Sequence, residues 1–226
     1  MSEPGLSEAA RRELMGRGRL RLAVNVANAE MACERSPGAF EGKAIDLARR
    51  LEADWRIAVE IVPFASGGAI LDHMAAWDAA ILAVEPSRLD RIHFLPAFAT
   101  VDATLATLGP ASISRCGDAD AEGVRIAVVR GAAYTAHLEQ AFARGELVAF
   151  DSPKAARAAM LGRDCHFVAG IRSTLQAFAR DNPKVRLMDD DVLRIPQALA
   201  LPLGRPHAVA ALEAWFVGAD TSAVVR

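Results

Sequence analysis

Apolar and polar positions fall into short alternating blocks along this chain. Leu20 to Val26 (LRLAVNV) alternates and predicts a first strand. Gly42 to Trp55 carries Ile45, Leu47, Ala48 and Leu51 on one side, the spacing of a helix. Val59 to Pro63 predicts a second strand, and Ser66, Gly67 and Gly68 open a helix through Ile70 and Met74. After Asp78, the run to Val84 is wholly apolar, as in a strand buried inside a parallel sheet. Ser7 to Met15 predicts a short leading helix with Ser7 as its N-cap. Asn25 to Phe40, with Asn28, Pro37 and Gly38, reads as a long loop, and Pro96 to Leu108 as extended chain. The β-α-β-α-β order with short connections predicts a doubly wound α/β lobe.

The second half repeats that grammar. Val124 to Val129 predicts a strand, Gly131 to Tyr134 a strand-to-helix turn, and Thr135 to Ala143 a helix. Leu147 to Phe150 is a strand. Ser152 and Pro153 cap a helix to Leu161, since Ser suits the N-cap and Pro the first helical position. Cys165 to Ala169 and Gln197 to Leu201 predict further strands, Arg172 to Ala179 and His207 to Phe216 further helices. The expected architecture is α/β: two doubly wound lobes joined by crossover strands. Lobe 1 takes residues 1–107 with 197–226 returning to it, and lobe 2 takes 108–196.

Composition narrows the function. The 226 residues are 52% apolar and 24% charged, with 26 Lys plus Arg against 28 Asp plus Glu and a net charge of −2. That composition excludes disordered and disulfide-scaffold classes, and the charge balance gives no footprint for nucleic acid. Cys33, Cys116 and Cys165 are distant, lack CxxC spacing, and read as reduced, partly buried thiols. His73, His93, His137, His166 and His207 are scattered; His166 in its apolar strand reads as a buried core histidine, and Asp189 to Asp191 as a solvated turn. No metal, cofactor or nucleotide motif is expected, and no run is long enough to insert in a membrane. The polar, charged first twenty residues predict a cytoplasmic location; behind an export segment the same chain would be periplasmic.

Candidate chemistry clusters after predicted strands, because ligands in open α/β sheets bind off the strands' carboxyl ends. Arg88 in Glu85-Pro86-Ser87-Arg88 is a candidate carboxylate clamp, since a planar guanidinium can hold both oxygens. Glu85, beside that cation, is expected to ionise easily. Gly131-Ala132-Ala133-Tyr134 is a candidate backbone cradle ahead of a helix. Asn25 and Asn28 follow the first strand as turn formers or ligand hydrogen-bonders. Phe64, Ser66, Ala83 and Gln197 complete the candidate contacts at the ends of their segments.

Trp77 to Phe98 (WDAAILAVEPSRLDRIHFLPAF), Gly42 to Trp55, Gly123 to Leu138, VAGIRSTL and IPQALALPLGR follow one another in a known order. Together, over about residues 19 to 217, they resemble the amino-acid-type extracellular solute-binding proteins of ABC importers, which have the type II periplasmic-binding-protein fold. The resemblance implies a small ligand clamped between two lobes, with Arg88 on the ligand carboxylate and the Gly131 to Ala133 backbone facing it. It implies first-loop contacts from Asn25 and Asn28, and crossovers near Thr104 to Gly109 and Ile195 to Ala200. Ile81 and Ala83 stand where the family often has Ser or Thr, and Gly170, Ile171 and Arg172 occupy the region of its second-lobe carboxylate. Arg88 with Arg172 then favours a dianion or a carboxylate without an ammonium.

The expected function is binding of a small anionic or zwitterionic, carboxylate-bearing solute, with an ABC permease as partner if the chain is exported. The alternative is an enzyme on the same fold, such as a cyclohexadienyl-dehydratase-like lyase, with Glu85 as its one nominated acid. A regulatory domain whose ligand alters an interface is a third reading.

Overall fold

The computed structural model describes residues 6–16 and 18–218. Part of the charged N-terminal segment, and the end of the returning 197–226 segment, lie outside the described residues. The chain divides into two compact units. Unit 1 takes residues 1–26, 30–99 and 196–226, and unit 2 takes 27–29 and 100–195.

The strands are β1 Leu20–Asn25, β2 Cys33–Ser36, β3 Ala39–Glu41, β4 Val59–Phe64, β5 Ala79–Ala83, β6 Ile92–Thr107, β7 Arg125–Val129, β8 Glu146–Phe150, β9 Phe167–Ile171, β10 Arg186–Leu187 and β11 Leu193–Pro202. The helices are α1 Glu8–Leu14, α2 Lys43–Trp55, α3 Gly67–Asp72, α4 Ala133–Ala141, α5 Pro153–Leu161, α6 Arg172–Asp181 and α7 Pro206–Gly218.

In unit 1, β1 lies between parallel neighbours β4 and β5, and β11 runs antiparallel to β5. The N–H of Leu203 donates to Arg91 O at 3.2 Å, tying the end of β11 to the start of β6. The apolar block Ala79 to Leu82 is buried, and its Ala80 and Leu82 pack with Ala23, Ile70, Trp77, Ile92 and Ala200. Trp77 is wholly buried and its indole N–H donates to Ile70 O at 2.8 Å, which satisfies the one polar atom of the ring. Asp78 precedes β5 and is buried against Arg21 of β1, which reaches both carboxylate oxygens at 2.8–2.9 Å. The polar start of that strand is thereby satisfied.

Helix starts follow the sequence closely. The hydroxyls of Ser7, Ser66 and Ser152 accept from Ala10, Ala69 and Ala155 N–H and cap α1, α3 and α5. Gly42 opens α2 at φ 123°, where a Cβ would stand 2.6 Å from Met31 O; no side chain fits.

In unit 2, β7 lies between parallel neighbours β8 and β9, β9 pairs antiparallel with Ala103 to Thr107 of β6, and the short β10 pairs antiparallel with Ala106 and Thr107 of the same strand. β6 and β11 each pass from one unit into the other, so the chain crosses as extended strands.

Three local readings are corrected. The expected long loop from Asn25 to Phe40 contains a bulged hairpin, β2 with β3, turning at Pro37-Gly38. His166 is exposed, not a core residue; its Nδ1 accepts from Arg125 N–H at 2.9 Å. Asp189 to Asp191 is more than a solvated turn. Asp190 accepts from Cys116 N–H at 2.7 Å and ion-pairs with Arg115 at 3.0 Å. Burial opposes the charge, yet the Cys116 contacts and Arg115 hold the Asp190 carboxyl below its usual range.

Candidate functional site

Unit 1 gathers most of its expected contacts at one end of its sheet. Asn25 and Phe64 are register partners at the carboxyl ends of β1 and β4. Ala83 at the carboxyl end of β5 is the register partner of Gln197 on antiparallel β11, and Gln197 is buried. Ser66 lies just past Phe64, where its hydroxyl is engaged as the α3 cap. Phe64 is half-buried, its ring 6.0 Å from that of His73.

Arg88 lies at this end, in the 3-10 turn Pro86–Arg88 that follows β5. Pro86 fixes the first φ of the turn, and three residues per turn stack positions i and i+3. Glu85 therefore faces Arg88, with Nη2 2.5 Å from Oε1. Arg88 is 5% exposed, and its Nη1 donates to Ala83 O at 3.2 Å. Gly67 was not among the expected contacts. A Cβ there would sit 3.6–3.7 Å from the two terminal guanidinium nitrogens, so the first turn of α3 lies directly against them. The only signal for this was the Ser-Gly-Gly helix start itself.

The electrostatics correct one expectation. Glu85 is not eased into ionisation. Burial pushes its carboxyl above the ordinary range, and the Arg88 charge only partly offsets this. Burial likewise lowers the guanidinium of Arg88, with Glu85 opposing. Each charge is held in a place that disfavours charge.

In unit 2, the expected cradle follows β7. Gly131 takes φ 71°, the left-handed conformation that glycine adopts without strain. The N–H of Ala132 is spent on Val129 O at 3.1 Å, and α4 starts at Ala133 with no side-chain cap. Tyr134 is buried, which pushes its hydroxyl pKa up, the nearby Arg157 charge pulling the other way. Thr135 is also buried, donating to Val129 O at 2.7 Å. Asn28 is 5% exposed, and its Oδ1 has no hydrogen-bond partner among the described residues.

Arg172 lies at the carboxyl end of β9, at the start of α6, but its donors are largely committed within unit 2. Nε pairs with Asp191 at 2.5 Å, Nη1 reaches Met188 O, and Nη2 reaches Asp190 O at 2.6 Å and Thr104 Oγ1 at 3.1 Å. It acts as a brace between α6, β6 and the acidic turn. Among the described residues no cluster of His, Cys, Asp or Glu could hold a metal, and no helix is long and apolar enough to cross a membrane.

The fold of the chain resembles that of several solved structures. An ancestral amino acid-binding protein, AncCDT-1, a precursor of cyclohexadienyl dehydratase, superposes with a TM-score of 0.77 at 19% identity, over 94% of this chain and 93% of that one. The periplasmic VFT2 domain of BvgS from Bordetella pertussis gives 0.78 at 18% identity, over 98% and 97%. A P235GK mutant of ArgBP from T. maritima gives 0.75 at 15% identity, over 95% and 96%. The chain has the type II periplasmic-binding-protein fold. The mixed α/β architecture agrees with the expected fold class, while the chain leaves unit 1 between Ala99 and Thr100 in β6, ahead of the expected Thr104 to Gly109. No protein-family model matches the sequence, and no curated protein matches it. At these identities the likeness establishes fold alone, and the chemistry must be argued from this chain's own residues.

Proposed function

We propose that this chain binds a small carboxylate-bearing solute, amino-acid-like or an organic acid, with Arg88 as the carboxylate anchor. The observation that carries the reading is a buried guanidinium at the carboxyl end of β5, with Ala83, Glu85 and Gly67 against it and Asn25, Phe64, Ser66 and Gln197 on the same end of unit 1. A desolvated arginine is strong enough to hold a carboxylate and too costly to bury for solubility alone. Proteins named for binding amino acids share the fold, which supports a solute of that size. Arg172 braces unit 2 in this scheme, so Arg88 alone answers the carboxylate. A cytoplasmic location belongs to the same proposal, with a permease partner only for an exported form. The test is mass spectrometry of small molecules released by denaturing the purified protein. A carboxylate recovered in stoichiometric amount supports the reading, and a ligand without an acidic group removes it.

A second reading is favoured by one observation. Burial raises the Glu85 carboxyl, the direction a general acid needs, and one protein of this fold is described as the precursor of a dehydratase. Turnover of a cyclohexadienyl acid that disappears in Glu85→Gln would establish the lyase.

A further inference from the structure

We propose that Glu85 is an internal counter-ion occupying the face of Arg88 that a ligand carboxylate would otherwise take, and so sets how strongly, and for which charge type, Arg88 binds. This rests on reading Arg88 as the carboxylate anchor, and adds a residue that limits it.

The argument begins with the turn. Pro86 at the first position and the i,i+3 stacking of a 3-10 turn leave Glu85 little choice of neighbour. Oε1 stands 2.5 Å from Nη2, yet this oxygen is buried and meets hydrogen-bond geometry with no partner among the described residues. The two charges are in contact without the parallel two-bond arrangement that guanidinium and carboxylate prefer. A ligand carboxylate able to approach in the plane of the fork makes the better bond, and Glu85 is the anion it must displace or crowd. Two carboxylates at one buried guanidinium repel each other, so a simple anion loses affinity for as long as Glu85 stays charged. A ligand carrying its own positive charge next to its carboxylate escapes that cost, because the cation lies near Glu85. Burial, which opposes the Glu85 charge, makes this side chain a weak competitor instead of a permanent block.

The test uses formate, the smallest carboxylate, and requires no knowledge of the natural solute. Wild type, Glu85→Gln and the double variant Glu85→Gln/Arg88→Met are titrated with sodium formate against sodium chloride at constant ionic strength, following thermal stabilisation and calorimetric heat. Glu85→Gln is expected to bind formate at least ~10-fold more tightly than wild type, and the double variant to lose that gain. Equal affinity in wild type and Glu85→Gln, no formate binding in either, or binding that survives in the double variant overturns the proposal. Should Glu85→Gln not fold, Glu85→Asp keeps the charge and withdraws it by one methylene; it is expected to tighten formate binding by a smaller factor, and no change overturns the proposal. The outcome is separable from the solute reading: a ligand lost in Arg88→Ala, with formate binding unchanged in Glu85→Gln, sinks the role of Glu85 alone.

Discussion

Nη2 of Arg88 lies 2.5 Å from Oε1 of Glu85, three residues back along a Pro-led 3-10 turn. Most of what the site can do follows from that pair. It places opposite charges at the carboxyl end of β5, the arginine buried and the glutamate half-buried, each resisted by its surroundings. Such a pair is a poor source of stability but a responsive place for a charged ligand to act.

Arg88→Lys tests the shape of the cation. Lysine retains the charge but not the fork, so it should recover only part of the affinity lost in Arg88→Ala. Titration of a verified ligand into both variants checks this. Full recovery by lysine would mean that charge alone matters.

Glu85 predicts a pH signature. Its folded pKa is raised, so the folded chain holds this proton more tightly than the unfolded chain does. Stability attributable to Glu85 must therefore fall as pH rises from the ordinary carboxylate range through the raised value. Chemical denaturation of wild type and Glu85→Gln across that window should show wild type losing ground to the variant as pH rises. A difference that is flat or grows the other way contradicts the assigned environment.

Arg172→Met should destabilise unit 2. The guanidinium bridges Thr104, Met188, Asp190 and Asp191; its removal takes both its bonds from the partly buried Met188 carbonyl and the ion pair from Asp191, while the Asp190 carbonyl keeps Thr104. A loss of about 2 kcal/mol is expected in urea unfolding. A variant as stable as wild type, with ligand affinity lost instead, would return Arg172 to the ligand.

The cysteines should separate by reactivity. Burial pushes the Cys116 thiol up to about 11 and also raises Cys165, while Cys33 is only partly buried. A mild alkylating reagent should modify Cys33 in the native protein and spare the others until unfolding. Peptide mapping that finds Cys116 modified early would contradict its packing.

The parts of the fold legible in the sequence are those set by local chemistry. Ser7, Ser66 and Ser152 cap helices where a serine precedes a helical pattern, and the apolar block after Asp78 became the covered strand β5. Glu85-Pro86-Ser87-Arg88 gave the position of the arginine, because strand ends are where open α/β sheets place ligands. What was missed depends on distant partners. The commitment of Arg172 is made by Thr104, 68 residues away, and no spacing rule reports it. The Cys33 to Glu41 hairpin is too short and too exposed to show strand alternation. The Glu85 pKa was misjudged because a neighbouring cation is visible in sequence and the depth of burial is not.

The most direct test of the account is calorimetric titration of wild type and Arg88→Ala with a panel of amino acids and short mono- and dicarboxylic acids. The account predicts saturable binding of at least one carboxylate to wild type. It predicts a loss of about 2–5 kcal/mol in a folded Arg88→Ala, roughly a 30- to several-thousand-fold drop. Equal affinity in the two proteins, or no carboxylate bound by wild type, would contradict it.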